Sequence, residues 1–91
     1  MAVEFDPAKR DLTLATRRLD MGRADEVFDG PTLTVEDDRA DYGEPRFITI
    51  GLLDRRMVVM VWTPRGAARR IISLRKANVR EQEIYGDALQ G

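Results

Sequence analysis

From Arg55 to Arg80 the chain carries Arg55, Arg56, Arg65, Arg69, Arg70, Arg75, Lys76 and Arg80 without one Asp or Glu. All 16 acids lie elsewhere, so a net charge of −1 conceals a strongly cationic segment. Seven of the eight cations are Arg, whose planar fork matches a phosphate in bidentate fashion. The segment reads either as solubilising charge on surface strands or as an anion-binding face, with nucleic acid the natural polyanion. A slightly acidic whole argues against a general coating of DNA. His and Cys are both absent. Imidazole proton transfer, Ser-His-Asp chemistry, thiolate nucleophiles and His or Cys metal sites are thereby excluded. The acidic loop with Glu36, Asp37, Asp38 and Asp41 lacks the spacing of an EF-hand and reads as solvated. No glycine-rich phosphate loop occurs. Neither metal nor cofactor is expected.

The elements that position these cations follow from periodicity. Asp6 and Pro7 form an N-cap and first helical position, after which Ala8, Leu12, Ala15 and Leu19 recur on one expected core-facing side. A shorter helix is expected from Gly22 to Phe28, with Ala24, Val27 and Phe28 inward. Beyond Pro31 the period becomes two: strands are expected at 32–35, 46–52, 57–62 and 68–74, the third a continuous apolar run suited to a sheet centre. Residues 36–45 read as an exposed connection, and Thr63-Pro64-Arg65-Gly66 as a turn. Asn78 with Glu81 resembles a capping box, opening a last helix with Ile84, Tyr85, Ala88 and Leu89 on its inner side. The expected fold class is α+β: two N-terminal helices, a four-stranded antiparallel meander sheet and a C-terminal helix, in one domain over residues 1–91. No apolar stretch reaches membrane-spanning length and the N-terminus lacks a signal-peptide core, so a cytoplasmic location is expected.

In this frame Arg75 and Lys76 sit at a strand-to-helix junction. By period-two counting Arg69, Ile71, Ser73 and Arg75 share one side of the strand, and Arg70, Ile72, Leu74 and Lys76 the other. The helix N-terminus beyond them adds exposed N–H groups that also favour a phosphate. Against this, Arg80 can pair with Glu81 or Glu83 on a solvated helix, Arg69 and Arg70 can be edge-strand charges, Tyr85 and Trp62 can be core aromatics, and Glu81 can serve only as a cap.

Several stretches together resemble the BrnT-type toxins: FDPAK (5–9), ADEVF (24–28), RFITIG (46–51), the apolar strand closed by WTPRG, and RIISLRKANVRE (70–81) with Tyr85. The resemblance runs over nearly the whole chain. It departs at Thr13, where relatives often carry Asn, and at Thr16-Arg17-Arg18, where they often carry Lys-His-Gly. The resemblance implies a RelE-like ribonuclease fold and endonucleolytic cleavage of RNA that arrests bacterial growth. It further implies a BrnA-type ribbon-helix-helix antitoxin, a heterotetramer with it, and contact with DNA only through it. For a metal-independent ribonuclease the 2′-hydroxyl must align with its own phosphorus while cations meet the developing charge. Arg46, Arg75 and Arg80 are then assigned to phosphate and transition-state stabilisation. Lys76 becomes the first candidate for proton transfer, with Glu81 or Tyr85 behind it, and Arg65, Arg69 and Arg70 line the RNA path. The competing expectation is an RNA-binding or antitoxin-binding module without catalytic competence.

Overall fold

A computed structural model of the chain describes residues 2–90. In chain order the elements are β1 (Ala2–Phe5), α1 (Pro7–Arg17), a 3-10 turn (Met21–Arg23), α2 (Ala24–Asp29), β2 (Leu33–Glu36), β3 (Phe47–Leu53), β4 (Arg56–Arg65), β5 (Ala68–Lys76) and α3 (Val79–Gln90). The five strands form one sheet in the order β1-β5-β4-β3-β2.

This sheet corrects the expected architecture. Strands β2 to β5 are antiparallel neighbours, but β1 adds a fifth strand parallel to β5, with Ala2 opposite Ala68 and Phe5 opposite Ile71, so the sheet is mixed. A four-residue strand directly before a helix cap has too few alternations to stand out, and its partner lies at the far end of the chain. The second expected helix is also divided, into the 3-10 turn and the short α2.

One face of the sheet buries the main core. Val58 and Met60 of β4 and Ile71 and Leu74 of β5 pack against Leu19, Met21, Ala24 and Val27, so α2 and the turn before it form the lid. Gly51 of β3 makes this approach possible: a Cβ there would come within 2.5 Å of Val27 Cγ1. The other face carries a smaller core of Ile50 and Val59 under Ala77 and Leu89, flanked by Leu52, Met57 and Tyr85. The β3–β4 hairpin turns through Asp54 and Arg55, both at positive φ, as a two-residue turn requires. Arg23 clamps this turn with two hydrogen bonds to the Asp54 carboxylate at 2.7 Å.

Helix α1 begins as its sequence dictates: the Asp6 carboxylate accepts from the Ala8 N–H and Pro7 opens the first turn. Its inner face differs from the apolar stripe. Leu12 is 63% exposed, Ala8 and Ala15 are exposed, and Thr13 is the residue of the helix that is buried. The reason lies in β5, whose outer edge is open beyond Ile71 because β1 ends there. Lys9 Nζ donates to the Ile72 carbonyl (3.4 Å) and Arg17 to the Leu74 carbonyl (2.9 Å). An unpaired strand edge is satisfied by donors, and a leucine face supplies none. No helix among the described residues is long and apolar enough to cross a membrane.

Candidate functional site

Helix α3 covers only part of its sheet face and leaves a groove of about 480 Å³ beside it. Two rungs of the sheet make the floor: Ile50, Val59 and Arg75 in one, Ile48, Val61 and Ser73 in the next. Asn78, Arg80, Glu81, Ile84 and Tyr85 form the α3 wall, while Val35 of β2 and Arg39 of the following loop complete the rim. Ile84 and Val35 are 57% and 60% exposed, which makes the groove apolar at its lip as well as its floor. Onto this surface three guanidinium groups converge, those of Arg39, Arg75 and Arg80.

Their partners differ. Arg75 forms a fork-on-fork pair with Glu81, both contacts 2.8 Å, and the same carboxylate accepts the Asn78 N–H at 2.9 Å. Asn78 Oδ1 in turn accepts the Glu81 N–H at 2.8 Å, so the capping box is closed and α3 starts where Arg75 anchors it. The Arg75 hydrogen bonds, then the Asn78 N–H, hold the Glu81 carboxyl down to about 2, and Arg75 is raised by its partner. At neutral pH Glu81 is therefore a carboxylate with its oxygens engaged, suited to orienting Arg75 and ill suited to accepting a proton. Arg80 pairs with neither Glu81 nor Glu83 and has no carboxylate partner among the described residues. Arg39 lies close enough to weaken the charged form of Arg75 slightly by repulsion.

Arg39 is held by Asp37, with Nε and NH2 contacts of 2.7 and 2.8 Å. The expected solvated loop is thus anchored at one point: the Asp37 side chain is fully buried and also accepts from the Tyr42 hydroxyl at 3.3 Å. The other carboxylates of the loop do not converge with it, and no group of three or more acidic side chains gathers among the described residues. The Arg39 hydrogen bonds pull the Asp37 carboxyl to about 2, below its ordinary 3.8. A depressed pKa adds stability that is complete above about 3.8 and is lost as pH falls through about 2. Asp37→Asn is accordingly expected to lower stability at pH 7 and to flatten its decline over that acid window, with a residual slope left to the other depressed carboxylates, Glu81, Asp20, Glu26 and Asp54. Urea midpoints followed from pH 6 to pH 2 check this; an unchanged acid limb would remove Asp37 from the account.

The expected site residues divide. Arg75, Arg80, Glu81 and Tyr85 meet in the groove. Lys76 takes the opposite side of β5, in register with Val58, and lines a separate hollow with Arg55, Arg56 and Gln82. Arg46 immediately precedes β3, with its guanidinium 4.0 Å over the Tyr42 ring and Nε 3.4 Å from Glu44, which Arg65 also approaches at 3.8 Å. Arg70 faces Glu4 of β1 at 3.9 Å. Arg69 is on the main-core face, stacked 3.9 Å over Phe28 and 5.1 Å from Trp62, with its Nε buried and without a hydrogen-bond partner among the described residues. A register shift at Val61/Trp62, which leaves Ile72 unpaired, exchanges the sides of Arg69 and Arg70 relative to simple alternation.

Two groove residues were not among the candidates. Arg39 is signalled only by being a cation inside the run EDDRAD, and Ser73 only by lying two residues before Arg75 on a strand. Comparison with curated proteins gives no match. The family model described as "Ribonuclease toxin, BrnT, of type II toxin-antitoxin system" matches residues 5–81, a span that includes Arg39, Ser73, Arg75, Arg80 and Glu81. The chain belongs to the BrnT family of ribonuclease toxins.

Proposed function

We propose that the groove between the sheet and α3 is where this chain cleaves RNA, as a metal-independent endoribonuclease. The observation that carries the reading is the convergence of Arg39, Arg75 and Arg80 on one apolar-floored groove, with Arg80 free of any described carboxylate. The scissile phosphate sits against Arg80 and Arg75, whose N–H groups meet the charge growing on the non-bridging oxygens. The 2′-oxygen attacks phosphorus in line; its proton passes to water, the bond to the 5′-oxygen breaks, and Tyr85 is the wall residue that hands that oxygen a proton and regains one from solvent. Products are a 2′,3′-cyclic phosphate and a 5′-hydroxyl. Glu81 orients Arg75 and yields part of it to the phosphate. A BrnA-type antitoxin, the partner that the family implies, neutralises the toxin by covering this groove, in a heterotetramer.

The test is incubation of the purified, antitoxin-free protein with naked RNA in EDTA, followed by mapping of fragment ends. Fragments ending in 2′,3′-cyclic phosphate are expected. Intact RNA with measurable binding would instead favour a non-cleaving binding module, the reading suggested by the closed Arg75–Glu81 pair and by the absence of His.

A further inference from the structure

The open edge of β5 separates two hollows, and Ser73 lines both of them. On one side is the groove of Arg75 and Arg80. On the other, under α1, is a hollow of about 250 Å³ bounded by Lys9, Leu12, Thr13 and Arg17. Both cations reach across to main-chain carbonyls of β5, Lys9 to Ile72 and Arg17 to Leu74. Neither has a carboxylate partner among the described residues. Each keeps donors to spare, since an ammonium offers three N–H groups and a guanidinium five. Two cations held at an open strand edge, with no acid among the residues that line their hollow, form a site for an anion rather than a structural ion pair. Leu12, exposed at the rim, gives the hollow an apolar wall against which a ribose or base can lie.

We propose that Lys9 and Arg17 form a second phosphate subsite, into which an RNA strand held at Arg75 and Arg80 continues across Ser73. This rests on the ribonuclease reading of the main groove. Because β1 stops at Phe5, opposite Ile71, no strand flanks β5 at Ser73, the residue that the two hollows share. Binding there extends the footprint by flanking nucleotides, adds length preference without base readout, and makes affinity more salt-sensitive.

The test uses the whole chain and 2′-O-methyl oligoribonucleotides, which cannot undergo 2′-hydroxyl attack, as a trinucleotide and an octanucleotide. Binding is measured over a series of salt concentrations for the wild type, Lys9→Gln, Arg17→Gln and Arg17→Lys. Each neutralising change is expected to lower the octanucleotide-to-trinucleotide affinity ratio by roughly three- to tenfold and to flatten the octanucleotide salt slope by about 0.7. Arg17→Lys, which keeps the charge and a donor for Leu74, is expected to retain the wild-type slope. Lys9→Gln carries the test if Arg17→Gln unfolds the β5 edge, because its 3.4 Å bond is the weaker of the two. Wild-type slopes and ratios in Lys9→Gln and in the folded Arg17 variant overturn the subsite alone. A wild-type protein that binds neither oligonucleotide overturns the ribonuclease reading together with it.

Discussion

Replacing Arg75 and Arg80 together with alanine is expected to lower the cleavage rate of naked RNA by about a hundredfold to a thousandfold, the scale of losing preorganised charge at a transition state. The two arginines play unequal structural parts, and this lets chemistry be separated from stability. Arg75 is tied to Glu81 and through it to the first turn of α3, so its loss also leaves a carboxylate without its partner. Arg80 is exposed and holds nothing, so Arg80→Ala alone is expected to shift stability by no more than about 0.5 kcal/mol. Its rate loss, roughly tenfold to a hundredfold, is then a loss of catalysis. Arg80→Lys restores the charge without the fork and is expected to recover only part of the rate. Single-turnover cleavage beside urea denaturation of each variant decides the matter. Full activity in a folded Arg75→Ala/Arg80→Ala protein would move the catalytic site away from this groove.

Gly51→Ala is expected to destabilise the fold by roughly 1–3 kcal/mol, and Gly51→Val by more, the cost of inserting atoms into a filled core. The added Cβ meets Val27 Cγ1 at 2.5 Å and Thr32 Cγ2 at 3.2 Å. Val27 is wholly buried between α2 and the sheet, so it has no free direction in which to turn. Relief must come from lifting α2 or from shortening Val27. The pair is therefore expected to be coupled: in a Val27→Ala background Gly51→Ala costs clearly less than alone, because the colliding methyl is gone. Additive losses in urea denaturation would reject the close approach of α2 to β3 as the reason for a glycine at the end of RFITIG. An ordinary strand position gains from alanine over glycine, so the sign of the single change is itself informative.

The antiparallel pairing of β2 to β5 was legible because hairpin strands carry their alternation in neighbouring residues, although the β4–β5 turn falls at Gly66 and Ala67 and leaves Thr63, Pro64 and Arg65, expected in the turn, paired within β4. The capping box at Asn78 and Glu81 was legible for the same reason, every contact lying within a few positions. What local pattern does not carry is a partner far along the chain. Ala2–Phe5 joined the sheet through β5, and that pairing fixed where the β5 edge opens, which then turned the polar side of α1 inward and left Leu12 outside. The site divided along the same line. Arg75, Arg80, Glu81 and Tyr85 come together because strand end and helix start are adjacent in sequence. Arg39 arrives from a loop some forty residues upstream, placed by the buried Asp37, and Arg69 leaves its expected side because one unpaired residue reverses alternation beyond it.

The parallel pairing of β1 with β5 also sets an order of events during synthesis. A ribosome makes Ala2–Phe5 ahead of the other described elements and Ala68–Lys76 after all of them except α3. At about 5–20 residues per second, β1 waits several seconds for the strand it must lie beside. Ser73, Arg75, Arg80 and Tyr85 emerge in the same late interval, and the carbonyls that hold Lys9 and Arg17 emerge with them. A nascent toxin therefore exposes α1, α2 and the β3–β4 hairpin as an incomplete sheet with no groove. The groove proposed to meet RNA is assembled only when β5 joins the sheet, after β1 to β4 have all been made.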